Sequence, residues 1–369
     1  MLCLLLLTAP GCARLPVSGA LSQRVAVAPL TTVAAGFPFA CEPNGPAVAY
    51  VNNGLRVIAA GDGEGRVIDP GEPYLLAWSP DGERLAVAAD SDGGTLLRLF
   101  AATGVLLGET RVADRVTDLG WSPTAVLLAT AANLELFSFG GHLRQILYRW
   151  NGTEKATAIT LAEVSLMPAT VQRWGKVLPG LLHLAVSPWG EALVYTRFHD
   201  PPAYSPYLKV ILRHLGSGLE EELARVSLGS GGALFTANGA GVLYGDGDAA
   251  SSITDPWGGA EVASFPVAGH TLASSPGGAS LLIDGHLFRD GKELATFPTV
   301  EDGCFVRQGT ELIVRSGTRL YRVAGLSPDD VPALDPGERR RLELLRRWRS
   351  EGLITADDYR RSAAKGERQ

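Results

Sequence analysis

The chain has 369 residues, of which 46% are hydrophobic and 20% are charged, so it is long enough to bury a large core. Its formal net charge is -6, and after residue 11 no apolar run approaches the roughly 18 residues that a membrane-spanning helix needs. These values exclude a disordered chain and a polytopic membrane protein, and the 44 Gly and 23 Pro residues favour an all-β fold with many turns.

The first residues have the composition of an export signal. Residues 1–11 contain an apolar run followed by small residues, which predicts a signal peptide. The segment Ala9-Pro10-Gly11-Cys12 resembles the lipobox of bacterial lipoproteins, although that family prefers Leu where Ala9 stands. The resemblance implies an acylated Cys12, a lipid-anchored segment over residues 12–36, and a place in the cell envelope, on the outer membrane facing the periplasm. An ordinary cleaved signal and an uncleaved apolar terminus are the alternatives.

The clearest internal repeat is an apolar strand, a four-residue turn and a second alternating strand, as in residues 75–88. Ser favours the first corner of a type I turn, Pro presets φ at the second, and Gly tolerates the last. Weaker copies occur at residues 42–45, 236–239 and 306–309. The turn residues of the four clear copies are Ser79, Pro80, Asp81, Gly82, Ser122, Pro123, Ser187, Pro188, Gly190, Ser275, Pro276 and Gly277.

The seven turns are spaced like the blades of a β-propeller. Most intervals between them lie near the roughly 40 to 50 residues that one four-stranded blade uses. The interval from 122 to 187 is longer by about 20 residues, which predicts an insertion between residues 140 and 179. We therefore predict an all-β, seven-bladed β-propeller over residues 37–327, followed by a small C-terminal α-helical hairpin.

The units at residues 78–82 and 187–190 resemble the repeats of TolB-type and other WD40-like bacterial propellers, and the resemblance covers about residues 40–325. It implies a fold but no single task, because one propeller scaffold hosts binding proteins, lyases and peptidase gates. We expect a non-catalytic binding scaffold for a protein or a cell-wall component. The alternative is a propeller enzyme, a lyase or hydrolase, whose polar groups converge on the central funnel.

Motifs for catalysis are missing from the sequence. The six His residues show no zinc-binding spacing, and no G-x-S-x-G elbow is present. The sequence therefore predicts no catalytic residue, no metal site and no cofactor. An acidic, exported chain is not expected to bind nucleic acid.

Cys41 and Cys304 lie just before the first and the last of the seven turns. Because these blades are adjacent in a closed ring, the two thiols are candidates for a disulfide across the closure seam. The alternative is a pair of buried free cysteines that pack as small apolar groups.

The C-terminal region changes character after a Pro- and Asp-rich linker at residues 328–337. Residues 338–369 predict two helices, and segment 351–359 resembles the SHOCT short C-terminal module, which implies oligomerisation or docking, including a possible homo-oligomer. The residues expected to form this hairpin are Leu342, Leu345, Trp348, Gly352, Leu353, Ile354, Thr355 and Tyr359. The region is basic, which suits anionic lipid headgroups or an acidic partner, and suits equally a solvated Arg face on an amphipathic helix.

Overall fold

The structure, a computed structural model, describes residues 15–21, 24–59, 65–122, 126–137, 140–175, 178–188, 190–202, 205–236, 239–247, 250–276, 278–328 and 336–363. Within these residues 28 strands form seven four-stranded antiparallel sheets, numbered below as blades 1 to 7.

The first strand of the chain, β1 (Ala26–Thr32), precedes the first complete blade. Blade 1 contains β2 (Phe39–Cys41), β3 (Ala47–Val51), β4 (Leu55–Ala59) and β5 (Arg66–Asp69). Blade 2 contains β6 (Leu75–Trp78), β7 (Arg84–Ser91), β8 (Gly94–Ala101) and β9 (Leu106–Val112). Blade 3 contains β10 (Arg115–Trp121), β11 (Leu127–Phe137), β12 (Gly140–Trp150) and β13 (Thr157–Leu166).

Helix α1 (Pro168–Trp174) and a short 3₁₀ helix (Leu178–Leu181) lead into blade 4. Blade 4 contains β14 (Leu184–Val186), β15 (Ala192–His199), β16 (Tyr207–His214) and β17 (Glu220–Val226). Blade 5 contains β18 (Ala233–Phe235), β19 (Val242–Gly245), β20 (Ser251–Thr254) and β21 (Glu261–Phe265). Blade 6 contains β22 (Leu272–Ser274), β23 (Ser280–Ile283), β24 (His286–Arg289) and β25 (Lys292–Thr296).

Blade 7 contains β26 (Asp302–Val306), β27 (Glu311–Ser316) and β28 (Arg319–Ala324), with a 3₁₀ turn (Arg307–Gly309), and takes β1 as its outer strand. The C-terminal hairpin consists of α2 (Pro336–Ser350) and α3 (Ala356–Ala363). The first strands of neighbouring blades contact one another in the closed order β2, β6, β10, β14, β18, β22, β26 and back to β2. This arrangement is a seven-bladed β-propeller with a small C-terminal helical hairpin, and it confirms the predicted fold class.

Ring closure depends on β1, which pairs antiparallel with β28 from Ala26 opposite Ala324 to Thr32 opposite Arg319. The propeller therefore begins before the expected residue 37, and part of the expected lipid-anchored segment 12–36 belongs to it. The physical reason is that only three strands remain for the last blade at the end of the repeats. A strand from the other end of the chain supplies the fourth set of backbone hydrogen bonds.

Alternation along the strands explains how one strand helps to bury two neighbours. On β7, Leu85 and Val87 join an apolar cluster with blade 1, whereas Ala86 and Ala88 join one with blade 3. Successive side chains on a strand point to opposite faces of the sheet, so each blade packs on both sides. The apolar core is thus divided into clusters between adjacent blades rather than gathered at one centre.

The blades have two ends, which we name by their connections. The turn face carries the turns that join the first strand of a blade to its second, such as residues 79–83, and the third to the fourth, such as 215–219. The crossover face carries the segments that lead from one blade to the next, such as residues 70–74. All seven repeat turns inferred from the sequence lie on the turn face.

The predicted insertion between residues 140 and 179 is not a separate loop. Strands β11 and β12 have 11 residues each and β13 has 10, and α1 follows them. The additional residues lengthen blade 3 and cover the crossover face between blades 3 and 4. Helix α1 was not expected from the sequence, because its apolar pattern is too short to show helical periodicity.

Candidate binding surface on the turn face

A groove of about 270 Å³ opens between blades 3 and 4 on the turn face. We name it the blade 3–4 groove. Its lining combines the first turns of both blades with the last turn of blade 4. The lining residues are Ser122, Val126, Leu128, Leu147, Arg149, Ile159, Gly190, Arg213, Leu215 and Gly218.

The blade 3–4 groove is mostly apolar, with two cations at its wall. Ile159 and Leu215 expose 41% and 39% of their surface there, which is more than a core side chain would leave open. Arg213 is paired with Glu220, with Nη1 and Oε1 2.7 Å apart. Arg149 is exposed and has no carboxylate within salt-bridge distance among the described residues. The groove therefore offers an apolar floor and one cation available to a ligand.

A second depression of about 230 Å³ continues from the groove towards the rim of blade 3. Arg149 belongs to both, and Lys155 adds another cation on the outer side. Trp150 forms the wall, held by its indole N–H, which donates to the backbone oxygen of Glu154 at 2.7 Å. Groove and depression together form one elongated surface with an apolar inner half and a charged outer half, which Glu154 also lines.

The C-terminal hairpin packs beside this groove, on the turn face of blades 4 and 5. Leu345 and Tyr359 are buried in the apolar cluster of these blades, next to Trp257. The Trp257 and Tyr359 ring centroids are 6.4 Å apart, and the guanidinium of Arg346 lies 5.7 Å from the Trp257 ring. The N–H of Ser217 donates to the carbonyl oxygen at the end of α2 at 3.0 Å. The hairpin is thus fixed to its own propeller.

An ion cluster anchors α2 to blade 4. Glu221 pairs with the buried guanidinium of Arg349, and its Oε1 lies 3.1 Å from Nε2 of the fully buried His214. The hydrogen bond with His214, followed by the charge of Arg349, lowers the pKa of Glu221 below its ordinary value despite its burial. The carboxylate therefore stays ionised where the hairpin meets the propeller.

The predicted start of the second helix matches a reciprocal cap. The N–H of Asp358 donates to Oγ1 of Thr355 at 3.1 Å, and the N–H of Thr355 donates to the Asp358 carboxylate at 3.1 Å. The hydrogen bonds from Thr355 lower the pKa of Asp358 to about 2. Gly352, with φ +74°, ends the first helix in the left-handed conformation that favours glycine.

Not all of the expected hairpin residues Leu342, Leu345 and Trp348 pack against the propeller. Leu345 is buried and Leu342 partly so, but Trp348 is 38% exposed. Residues three apart drift round a helix by about 60° per step, so three of them cannot share one narrow contact line. Arg346 and Arg349 complete the buried face instead. The outward side of the hairpin carries Leu344, Trp348 and Leu353, and Ile354 is partly buried between the helices and the propeller.

The central channel is surrounded by the first strands of the blades. Their middle positions hold small, partly exposed residues in five blades, namely Ala40, Ala77, Gly120, Ala185 and Ala273. Such positions offer little polar chemistry to a ligand in the channel.

Two His–Asp pairs lie where the crossover face meets the first strands. His183 Nδ1 is 3.8 Å from Asp118 Oδ2, and His270 Nδ1 is 3.1 Å from Asp284 Oδ2. Asp118 also accepts the N–H of Leu184 on the next blade at 2.8 Å. Burial raises the pKa of Asp284, but two backbone N–H groups and His270 outweigh it, so the pKa lies below its ordinary value. Both carboxylates therefore accept hydrogen bonds from backbone N–H groups and hold the local backbone in place.

Cys41 on β2 and Cys304 on β26 are joined by a disulfide, with their Cα atoms 5.9 Å apart. These are the first strands of blades 1 and 7, so the bond crosses the seam that β1 also closes. The two cysteines are 263 positions apart in the sequence.

Three of the clear repeat turns place a buried hydroxyl at the first corner. Ser79, Ser187 and Ser275 are fully or almost fully buried. Each accepts through Oγ the backbone N–H that opens the next strand, from Arg84 at 2.9 Å, Ala192 at 3.1 Å and Ser280 at 3.0 Å. Gly82 and Gly190 have φ +75° and +77°, and Pro80, Asp81, Ser122, Pro188 and Pro276 lie in the same turns. Cys12, Pro123 and Gly277 lie outside the described residues.

Sequence reasoning missed Asp200, which follows β15 on the crossover face. Its carboxylate accepts the N–H of Met167 at 2.7 Å and the hydroxyl of Thr170 at 3.0 Å. It thereby caps the start of α1 from another blade. The partner groups are about thirty residues apart in sequence, so no local motif could reveal the cap.

In the described part of the chain, no helix is both long and apolar enough to cross a bilayer. Within the same residues, no three His, Cys, Asp or Glu side chains are grouped as a metal site would require.

No family model matches the chain, and no curated protein matches it. Among solved structures, the β-propeller domain of Cps50 (Swd1) from Myceliophteria thermophila aligns with a TM-score of 0.55 at 14% identity, over 81% of this chain and 99% of that one. A chain of a mitotic checkpoint complex aligns with a TM-score of 0.52 at 15% identity, over 88% of this chain and 99% of that one. At such identities the likeness establishes the fold alone: the chain is a seven-bladed, WD40-like β-propeller.

Proposed function

We propose that the chain is a lipid-anchored protein of the bacterial cell envelope whose propeller is a non-catalytic scaffold for another protein. The observation that carries this proposal is the blade 3–4 groove, an apolar concavity with an unengaged cation on a rigid ring. Rigid scaffolds present binding surfaces on loops and turns at small conformational cost. A cell-wall component is the other ligand class for this groove.

The small residues of the central channel support binding over catalysis. An enzyme working in the funnel needs polar groups free to meet a substrate. Three carboxylates near the crossover mouth, Asp118, Asp284 and Asp302, are instead engaged by backbone N–H groups.

The C-terminal hairpin extends the binding face, and its likeness to SHOCT modules suggests docking or assembly. Its inward side is used by the propeller itself. The side left for a partner is the outward one, with Leu344, Trp348 and Leu353 exposed beside the groove. Aromatic and aliphatic side chains of this kind are common anchors in protein interfaces.

Membrane attachment in this proposal depends on Cys12 and the lipobox-like residues before it. Several acyl chains bury enough methylene groups to hold a protein on a bilayer durably. We propose the periplasmic side of the outer membrane as the location. Mass spectrometry of the N-terminal peptide should show acyl chains on Cys12. The substitution Cys12→Ser should release the protein from membranes. An unmodified Cys12 in envelope fractions would contradict the lipid anchor.

A photoreactive amino acid in place of Leu215 tests the groove by cross-linking it to its ligand in living cells. One discrete cross-linked adduct is expected at position 215, and Arg149→Glu should abolish it. A reporter at position 262, which is 64% exposed against 39% at position 215 and lies on the outer strand of blade 5, is the control. Digestion of the adduct by a muramidase would identify a cell-wall ligand, and no adduct at 215, or the same adduct from 262, would overturn the groove as the binding site.

A further inference from the structure

The described chain enters the propeller from the crossover face. Ser18 and Thr296, at the end of β25, exchange backbone hydrogen bonds of 3.0 and 3.1 Å, and the N–H of Leu21 donates to Leu294 at 3.0 Å. Strand β25 runs towards the crossover face, and its partner segment is antiparallel to it. Residues 18–21 therefore descend along the edge of blade 6 from the crossover face to the turn face.

This path limits where a lipid on Cys12 can be. Leu15 is buried in the apolar cluster of blades 6 and 7 together with Phe297 and Phe305. Only two residues stand between Cys12 and Leu15, and three extended Cα-to-Cα steps span at most about 11 Å. The proposed acyl group on Cys12 is therefore joined to the crossover side of blade 6 by a short chain.

A second apolar feature projects from the same face. Strands β11 and β12 continue beyond the first residue of β10, since Arg115 pairs with Ala132 and five further residues of β11 follow. At the end of β11, Leu136 is 63% and Phe137 60% exposed, and Met167, which follows β13 at the same end of the blade, is 45% exposed. We name Leu136, Phe137 and Met167 the blade 3 tip. Exposed side chains of this size, projecting together from a face, mark an interaction site.

Blade 3 is three blades away from blade 6 in a ring of seven, almost across its diameter. Two apolar attachments on opposite sides of one face reach the same flat surface when that face lies against it. We propose that this surface is the membrane: the crossover face lies against a phospholipid bilayer, with the blade 3 tip inserted at the interface and the lipid on Cys12 as the other attachment. This orientation rests on the proposed acylation of Cys12.

A bilayer fits these features better than a protein partner does. The tip is convex, and it lies on the same side as the acyl group, so anchoring brings it to the lipid surface without a further partner. The orientation also leaves the turn face, with the blade 3–4 groove and the hairpin, directed away from the membrane. Partner binding and anchoring then use opposite faces of the propeller.

A photoreactive amino acid at position 137 tests the orientation in the acylated, full-length protein on vesicles of bacterial phospholipids. The matched control is position 105, which is Val105, 60% exposed on the turn-face side of blade 2. Lipid adducts are expected at 137 and not at 105. Equal labelling at both positions, labelling at 105 alone, or no lipid adduct at either would overturn the orientation.

A second measurement separates the tip from the anchor. With the reporter at position 167, the double substitution Leu136→Ser and Phe137→Ser should remove most of the lipid adduct, whereas Val105→Ser with Leu106→Ser should leave it unchanged. An unchanged adduct in the first variant would overturn the role of the tip. The mass of the N-terminal peptide is measured in each sample by mass spectrometry. A peptide without acyl chains would contradict the proposed function. An acylated protein without lipid contact at position 137 would contradict only the orientation.

Discussion

Trp121 on blade 3 donates its indole N–H to the backbone oxygen of Ala77 on blade 2, at 3.1 Å. Trp78 on blade 2 makes the same bond to Ala40 on blade 1, at 3.2 Å. Each Trp ends the first strand of its blade and bonds to the first strand of the blade before it. The repeat motif thus encodes a link between neighbouring blades as well as a turn within one.

We expect Trp121→Phe to destabilise the protein by about 2 kcal/mol, because it removes the donor to Ala77 and part of a buried ring. The measurement is the free energy of unfolding in urea. Trp348→Phe, at an exposed position on α2, should change it by less than about 0.5 kcal/mol. Equal effects of the two substitutions would show that the link between blades contributes nothing.

Replacing both Cys41 and Cys304 by Ala should lower the free energy of unfolding by about 2–5 kcal/mol, because the disulfide closes a very long loop. A reducing agent should produce the same loss in the wild-type protein and no further loss in the double variant. Unfolding of the wild type that does not respond to complete reduction would contradict a stabilising bond at the seam.

Hairpin docking should weaken in acid through Glu221. Its pKa is lowered in the folded protein, so its contribution is fully present above the ordinary value of 4.5 and is lost as the pH falls through the lower folded value. The rate at which a protease cuts the linker at residues 328–337 reports release of the hairpin. Glu221→Gln should flatten the pH dependence of that rate below pH 4.5, and Glu351→Gln, at an exposed position just after α2, should leave it as in the wild type. The same profile for both variants would refute the role of Glu221.

Asp200→Ala should loosen α1 and cost about 1–2 kcal/mol, because the N–H of Met167 and the hydroxyl of Thr170 lose their acceptor. Hydrogen exchange of the α1 amides should accelerate, while that of blade 6 should not. Asp90→Ala, which breaks an exposed pair with Arg115, is the control and should leave α1 unaffected. Unaltered exchange in Asp200→Ala would show that α1 is held by packing alone.

The sequence by itself determined the number of blades, the position of each first turn, the junction between the hairpin helices at Gly352 and Thr355, and the candidate pairing of Cys41 with Cys304. Turn and cap preferences are local, because Ser79 and Thr355 bond to groups only a few residues away, and such patterns are readable in a single chain. Only the tertiary structure decided that β1 completes blade 7, that Asp200 caps α1, and that the hairpin packs on blades 4 and 5 with Trp348 outward. The blade 3–4 groove belongs to this second group as well, since its walls come from turns about sixty residues apart that meet only when blades 3 and 4 pack against each other. All of these features depend on contacts between residues that are distant in sequence. Local preferences do not distinguish between the possible arrangements, so burial, charge pairing and ring geometry select among them.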